Sequence, residues 1–207
     1  MDIGKRFDQV ADKYDTPDKF ERSKIIIKNI LDKVPVNKSF KVLDIGAGTG
    51  TLDVLLSPFV KEIAALDLSE GMLNVFKKKI KERGIRNIRI YKKDIFRDGF
   101  HEKDFDLIIT AMTFHHLDDP AEALNHLKGY LKKGGYIAVA DLYKEDGSFH
   151  SDNTDVKHFG FDENDIKTWL EKTDLEKVDY RIVHSIIKER EGKKKEYPVF
   201  LIIAIKR

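Results

Sequence analysis

KVLDIGAGTG, residues 41–50, runs an apolar stretch into Asp44 and then sets glycine at positions 46, 48 and 50. A buried strand that passes directly into glycine-rich backbone brings main-chain amides close to a nucleotide-like ligand. Around this stretch, short apolar runs alternate with amphipathic ones, the pattern of a parallel sheet flanked by helices. Strands are expected at residues 41–45, 62–66, 88–91, 106–110 and 136–140, with helices at 51–57, 70–83 and 120–131. Pro120 behind Asp118 and Asp119 is a helix start, and Lys132-Lys133-Gly134-Gly135 reads as its stop. A long amphipathic helix over residues 18–34 precedes the first strand, and Asp162 caps a helix over 162–172.

The end of the chain reads differently. Residues 177–188 and 196–206 are strand-like, and the connection 190–195 is short enough for a hairpin. The seventh strand is therefore expected antiparallel to the sixth, with the lysine run as a solvated tip. The fold expected is α/β, Rossmann-like and doubly wound, with seven strands and an antiparallel last strand. At 207 residues the chain fits one domain with a single core. Within it we expect a helical cap (1–39), a cofactor-binding core (40–143), and a substrate-side insert with the C-terminal hairpin (144–207).

Composition excludes several classes. With 38 basic and 36 acidic residues the net charge is +2, which gives no sequence-independent pull on nucleic acid, so none is expected as a partner. Cysteine is absent, which removes disulfides, thiolate metal sites and a cysteine nucleophile and suits a reducing compartment. The charged start MDIGKRFDQVADKYD lacks the apolar core of a signal peptide, so a cytoplasmic location is expected. No apolar run is long enough for a membrane span.

Dinucleotide enzymes place G-x-G-x-x-G on such a turn, with a pyrophosphate at the helix start. Here Thr51 stands where the third glycine belongs. Asp44 says more: a carboxylate at the strand end repels a pyrophosphate and suits a cationic ligand without phosphate. S-adenosylmethionine, with its ammonium and sulfonium, is such a ligand. The competing role for Asp44 is to tie down local amides. Asp67 lies 21 positions after Gly46, where an acid accepts hydrogen bonds from ribose hydroxyls. Leu68 and Met72 are placed to pack on adenine, and Asp94, followed by Ile95, to accept from its amino group. Met72 could equally be core, and Asp94 a helix cap. The cofactor contacts expected on the turn itself are Gly46, Ala47, Gly48 and Gly50.

VLDIGAGTGTL, ALDLSEGML, KKDIF, FDLIITAMTFHHLDDP and LKKGGYIAVADLY follow one another at telling intervals. Their order and spacing resemble the class I S-adenosylmethionine-dependent methyltransferases, in particular the small-molecule branch containing the ubiquinone/menaquinone-biosynthesis C-methyltransferases. The resemblance spans residues 40–143, and FDQVADKYD and HFGFDENDIKTWLEKTDL extend it to either side. It implies a seven-stranded sheet, and a Tyr14 and Phe7 that close over the cofactor.

Methyl transfer asks the protein to align a nucleophile and, for some acceptors, to remove a proton. The chain lacks the Asp/Asn-Pro-Pro-aromatic motif of exocyclic-amine and glutamine methylation and the cysteines used on cytosine C5 or arsenite. A small organic acceptor with an O, C or N nucleophile remains. Candidate catalytic residues are His116, then His115, after the fourth strand, and Tyr143 after the fifth. Asp141 lies near Tyr143, and His150 and His158 lie in a polar stretch that could form part of a lid. No metal is expected. Two other classes stay open: a cofactor-binding subunit or sensor without catalysis, and a nicotinamide oxidoreductase, which Asp44 and Thr51 disfavour.

Overall fold

The computed structural model describes residues 3–190 and 192–207. β1 (Lys41–Ile45), β2 (Glu62–Asp67), β3 (Ile88–Lys92), β4 (Phe105–Ala111) and β5 (Leu131–Leu142) form parallel ladders. β7 (Lys193–Lys206) enters antiparallel between β5 and β6 (Leu175–Arg190), giving the order β3-β2-β1-β4-β5-β7-β6. The order reverses between β1 and β4, so the crevice beyond their carboxyl ends is where an open α/β sheet binds ligands.

Strand residues alternate between two buried clusters, as period-two side chains must. Val42, Ile63, Ala65, Leu107 and Ile109 pack with α2 (Pro17–Lys33), α3 (Thr51–Leu56) and α4 (Glu70–Glu82). Leu43, Ala64, Leu66, Ile108 and Val139 pack with α6 (Pro120–Lys128) and α7 (Glu163–Thr173) on the opposite face. Both faces of the parallel strands are therefore covered, which is why they read as continuous apolar runs. Two shorter helices complete the set, Ile3–Asp8 at the N-terminal end and Ile95–Asp98 after β3.

Two boundaries differ from the sequence expectation. The helix expected to residue 131 stops at Lys128, and Leu131 already pairs with Phe105 as the first residue of β5. The Lys-Lys-Gly-Gly run thus lies inside β5, where the register to β4 shifts, rather than in a loop. The hairpin is also tighter than its composition suggests. Lys193, Lys194 and Lys195 pair with Arg190, Glu189 and Lys188, so the lysines belong to the strand. Only the central pair, Glu189 with Lys194, sets opposite charges face to face; the two flanking pairs are cation against cation.

Candidate active site

β1 delivers the chain to Gly46 at φ +73°, Gly48 at φ +56° and Gly50 at φ +72°. The three glycines answer to different needs. A Cβ on Gly46 would sit 2.3 Å from Thr113 Oγ1, and one on Gly50 would sit 2.1 Å from the Phe76 ring. Those two are demanded by packing. A Cβ on Gly48 would meet nothing within 4 Å, so this residue faces open space.

That space is a cavity of about 740 Å³, within the range of small-molecule sites. Its walls include Phe7, Tyr14, Gly46, Gly48, Asp67, Leu68, Met72, Asp94, Ile95, Met112, Thr113 and His116. Of the residues named from sequence, it therefore brings together Tyr14, Gly46, Gly48, Asp67, Leu68, Met72, Asp94, Ile95 and His116. Ala47, Gly50, Asp44, His115 and Tyr143 are not among the lining residues.

Asp67 is set by its backbone neighbours. Its Oδ2 accepts from Gly48 N at 2.7 Å and its Oδ1 from Ser69 N at 2.8 Å. Burial pushes this carboxyl above its ordinary range, against the pull of those amides. Each oxygen keeps a second lone pair for a hydroxyl. Asp94 takes up the helix-cap role that the sequence held open beside adenine recognition, and it also lines the cavity. Its Oδ1 caps the short helix after β3, accepting from Phe96 N at 2.9 Å and Arg97 N at 3.3 Å.

Asp44 requires a correction. It is 1% exposed and both its oxygens lack a hydrogen-bond donor, because its neighbour is another buried carboxyl, Asp53 of α3. Burial and the Asp53 charge push Asp44 well above the carboxylate range, and burial pushes Asp53 up to about 7. Two such carboxyls share a proton. The acid at the strand end thus acts from beneath the glycine turn. Asp53 went unnoticed in the sequence because it sits in an ordinary helical pattern and meets Asp44 only in three dimensions.

The histidine pair divides in two. His115 is 1% exposed; its Nδ1 lies 2.6 Å from Asp141 Oδ1, and its backbone N–H donates to Asp141 Oδ2 at 3.3 Å. Burial opposes ionisation of Asp141, yet the contacts to His115 win and hold its carboxyl below the usual value. His116 stands in front, its ring 4.1 Å from that of His115 and on the cavity wall. Its Nδ1 lies 2.7 Å from the Asp155 carbonyl, which can only accept, so Nδ1 carries the proton and Nε2 the lone pair. Burial, with His115 and Arg6 nearby, lowers His116 to about 4. At neutral pH it is an uncharged imidazole.

Tyr143 does not join them. β5 ends at Leu142, and Tyr143 bridges to Phe161 while its N–H donates to the Pro198 carbonyl at 2.8 Å. This directs the chain toward α7.

The N-terminal segment covers the cavity and is fixed at three points that the sequence did not announce. Arg6 donates to Asp155 Oδ2 at 3.2 Å and to the Asp152 carbonyl at 2.8 Å. Asp8 Oδ1 accepts from Ser69 Oγ at 2.6 Å and Gly71 N at 2.7 Å, at the start of α4. Asp15 accepts from Thr49 Oγ1 at 2.6 Å and pairs with Lys79 at 2.8 Å. Thr51, the misfit of the dinucleotide pattern, also reaches Asp15, at 3.3 Å.

Residues 43–139 match the family described as a methyltransferase domain, over the strands that build this site. The chain resembles named methyltransferases. It is 29% identical over 150 residues to an uncharacterized methyltransferase of Schizosaccharomyces pombe, covering 67% of this chain and 52% of that one. It is 31% identical over 145 residues to a ubiquinone/menaquinone biosynthesis C-methyltransferase of Idiomarina loihiensis, covering 67% and 58%. The chain thus spans somewhat more than half the length of these two curated relatives. An S-adenosylmethionine-dependent methyltransferase from Aquifex aeolicus shares the fold of the methyltransferase domain with a TM-score of 0.73 at 24% identity, covering 97% of this chain and 98% of that one. Among the described residues no helix is long and apolar enough to cross a membrane.

Proposed function

We propose that the chain moves a methyl group from S-adenosylmethionine to a small organic acceptor. The observation that carries this reading is the cavity at the strand-order reversal, walled by Gly48 and Asp67, with a neutral histidine on the same wall. The residues present fit the cofactor. Open space at Gly48 lets a ligand lie on the backbone, and Asp67 retains acceptor capacity for hydroxyls.

When bound, S-adenosylmethionine supplies a methyl group already activated by a sulfonium. Gly46, Gly48, Asp67, Leu68, Met72 and Ile95 hold the cofactor in this reading, with Asp94 at its edge and Tyr14 and Phe7 closing the N-terminal side. His116 Nε2, free while Nδ1 is tied to Asp155, takes the proton of an acceptor O–H or N–H. His115 and Asp141 act behind it, fixing the loop that carries His116. Acceptor contacts come from this end of the cavity and from the insert that follows β5, and cofactor contacts from residues 40–96. The Idiomarina relative's name points to ring-carbon acceptors, for which alignment matters more than a base.

The test is consumption of methyl donor, read as S-adenosylhomocysteine formed, across phenol, amine and carbon acceptors. Turnover with one class supports the reading. Cofactor binding with no turnover on any class favours a subunit or sensor instead.

A further inference from the structure

The cation cluster behind the cavity is not used by anything described so far. Arg22, on α2, is 8% exposed, and its guanidinium makes no hydrogen bond or ion pair with any described residue. The guanidinium nitrogens are not sealed from solvent, so their donors stay open to a ligand. Lys19 lies one turn earlier on the same helix, its Nζ 3.3 Å from the Tyr14 ring centroid. Lys188, on β6, places its Nζ 3.4 Å from the Phe149 ring centroid and donates to the Phe149 carbonyl at 2.8 Å. Arg190 beside it donates only to the carbonyls of Ser148, Phe149 and Glu189. None of the four forms an ion pair among the described residues. The repulsion is mutual: burial and the neighbouring Arg22 bring Lys19 down to about 8, and burial with Arg190, Lys19 and Arg22 does the same to Lys188.

The acids nearby do not neutralise this charge. Asp141 is committed to His115. Asp18 is exposed and lies 3.4 Å from His184, and Asp15 is held by Lys79 and Thr49. Glu145 accepts from Phe149 N. The cluster adjoins the cavity at two places. Tyr14, over whose ring Lys19 Nζ sits, is one of its walls. His150, whose surroundings include Lys188, lies with its ring 5.9 Å from that of His116.

We propose that the acceptor carries an oxyanion, a carboxylate or phosphate, which Arg22 binds with Lys19 and Lys188 while the methylated atom faces His116. Arg22 supplies the planar fork that matches such a group, and the two lysines supply charge without fixed geometry. This rests on the proposed function, because it names the acceptor for that same site.

Calorimetry on protein saturated with S-adenosylhomocysteine tests it, with benzoate, inorganic phosphate and neutral benzamide as probes. Wild type should bind benzoate or phosphate saturably, whichever oxyanion fits, and benzamide at least about tenfold more weakly, the loss of a charge-assisted contact. Arg22→Gln should lose the same factor for the anion and keep its affinity for S-adenosylhomocysteine. If Arg22→Gln does not fold, by circular dichroism, Lys188→Met takes its place with the same expectation. The inference is overturned if neither anion binds saturably, if benzamide matches benzoate, or if the variant binds the anion as wild type does. Failure to bind S-adenosylhomocysteine in wild type would instead overturn the proposed function beneath it.

Discussion

Gly48 holds φ at +56° with open space where a side chain would go, so Gly48→Val places three carbons inside the cavity. The variant should fold with a loss of about 1–2 kcal/mol for the left-handed backbone and bind no cofactor; an unchanged cofactor affinity by calorimetry would move the ligand off this turn. Asp67→Ala removes the acceptor and frees the Gly48 and Ser69 amides, and should weaken cofactor binding by about 1–3 kcal/mol, Asp67→Asn by less. Equal affinities would exclude a contact. For Asp53 the sign is worked out from its raised value of about 7. A raised carboxyl favours folding below its unfolded value of 3.8 and withdraws that stability as pH climbs through 7. Asp53→Asn cannot ionise and its amide can donate to Asp44, so its melting temperature should exceed that of wild type at pH 8 and equal it near pH 4. A variant less stable at pH 8 would refute the shared proton. His116 carries the opposite sign. Lowered from 6.5 to about 4, it contributes stability above 6.5 that is lost as pH falls through 4. As a base it is ready throughout neutral pH, so the rising limb of turnover assigned to it should lie near 4, and His116→Ala should cut turnover by up to about 10²–10⁴-fold. A rising limb at 6.5, or an unchanged rate, would return the residue to a packing role.

The element that decides access is the N-terminal segment, tied by Arg6, Asp8 and Asp15 to three separate parts of the site. Asp15→Ala breaks the last of the three ties, which is half-exposed, so global stability should change by less than about 1 kcal/mol. Local protection should change more: amide exchange over residues 3–16 should speed up and cofactor affinity should fall. Unaltered exchange would mean that the segment stays closed without this tie. Such ties were not readable from the sequence, since Asp8 and Asp15 are ordinary surface acids until Ser69, Thr49 and Lys79 fold up beside them. The strands were readable, because β1, β2 and β4 are buried on both faces and every residue announces it. The α6 to β5 boundary was not. Gly134 and Gly135 punctuate a loop in sequence, whereas the pairing of Leu131 with Phe105 starts the strand before them.

At the scale of the molecule, a parallel sheet places its loops at one edge, and the order reversal between β1 and β4 opens a crevice there. Gly48, Asp67, Met72 and His116 line the crevice, and their place there was legible because each follows or ends a strand whose position the apolar pattern gives. Asp53 and Arg22 were missed because their significance lies in what surrounds them: a second carboxyl in one case, and no partner in the other. Tyr143 is not among the lining residues, because the chain turns toward α7 once β5 ends. What unites these residues is the claim that the crevice binds a cationic, phosphate-free nucleoside cofactor. Calorimetric titration of the wild-type chain with S-adenosylmethionine and, separately, with NADH tests this most directly. Saturable one-to-one binding of S-adenosylmethionine with no heat from NADH is the expected result; saturable NADH binding with none of S-adenosylmethionine would make the crevice a dinucleotide site.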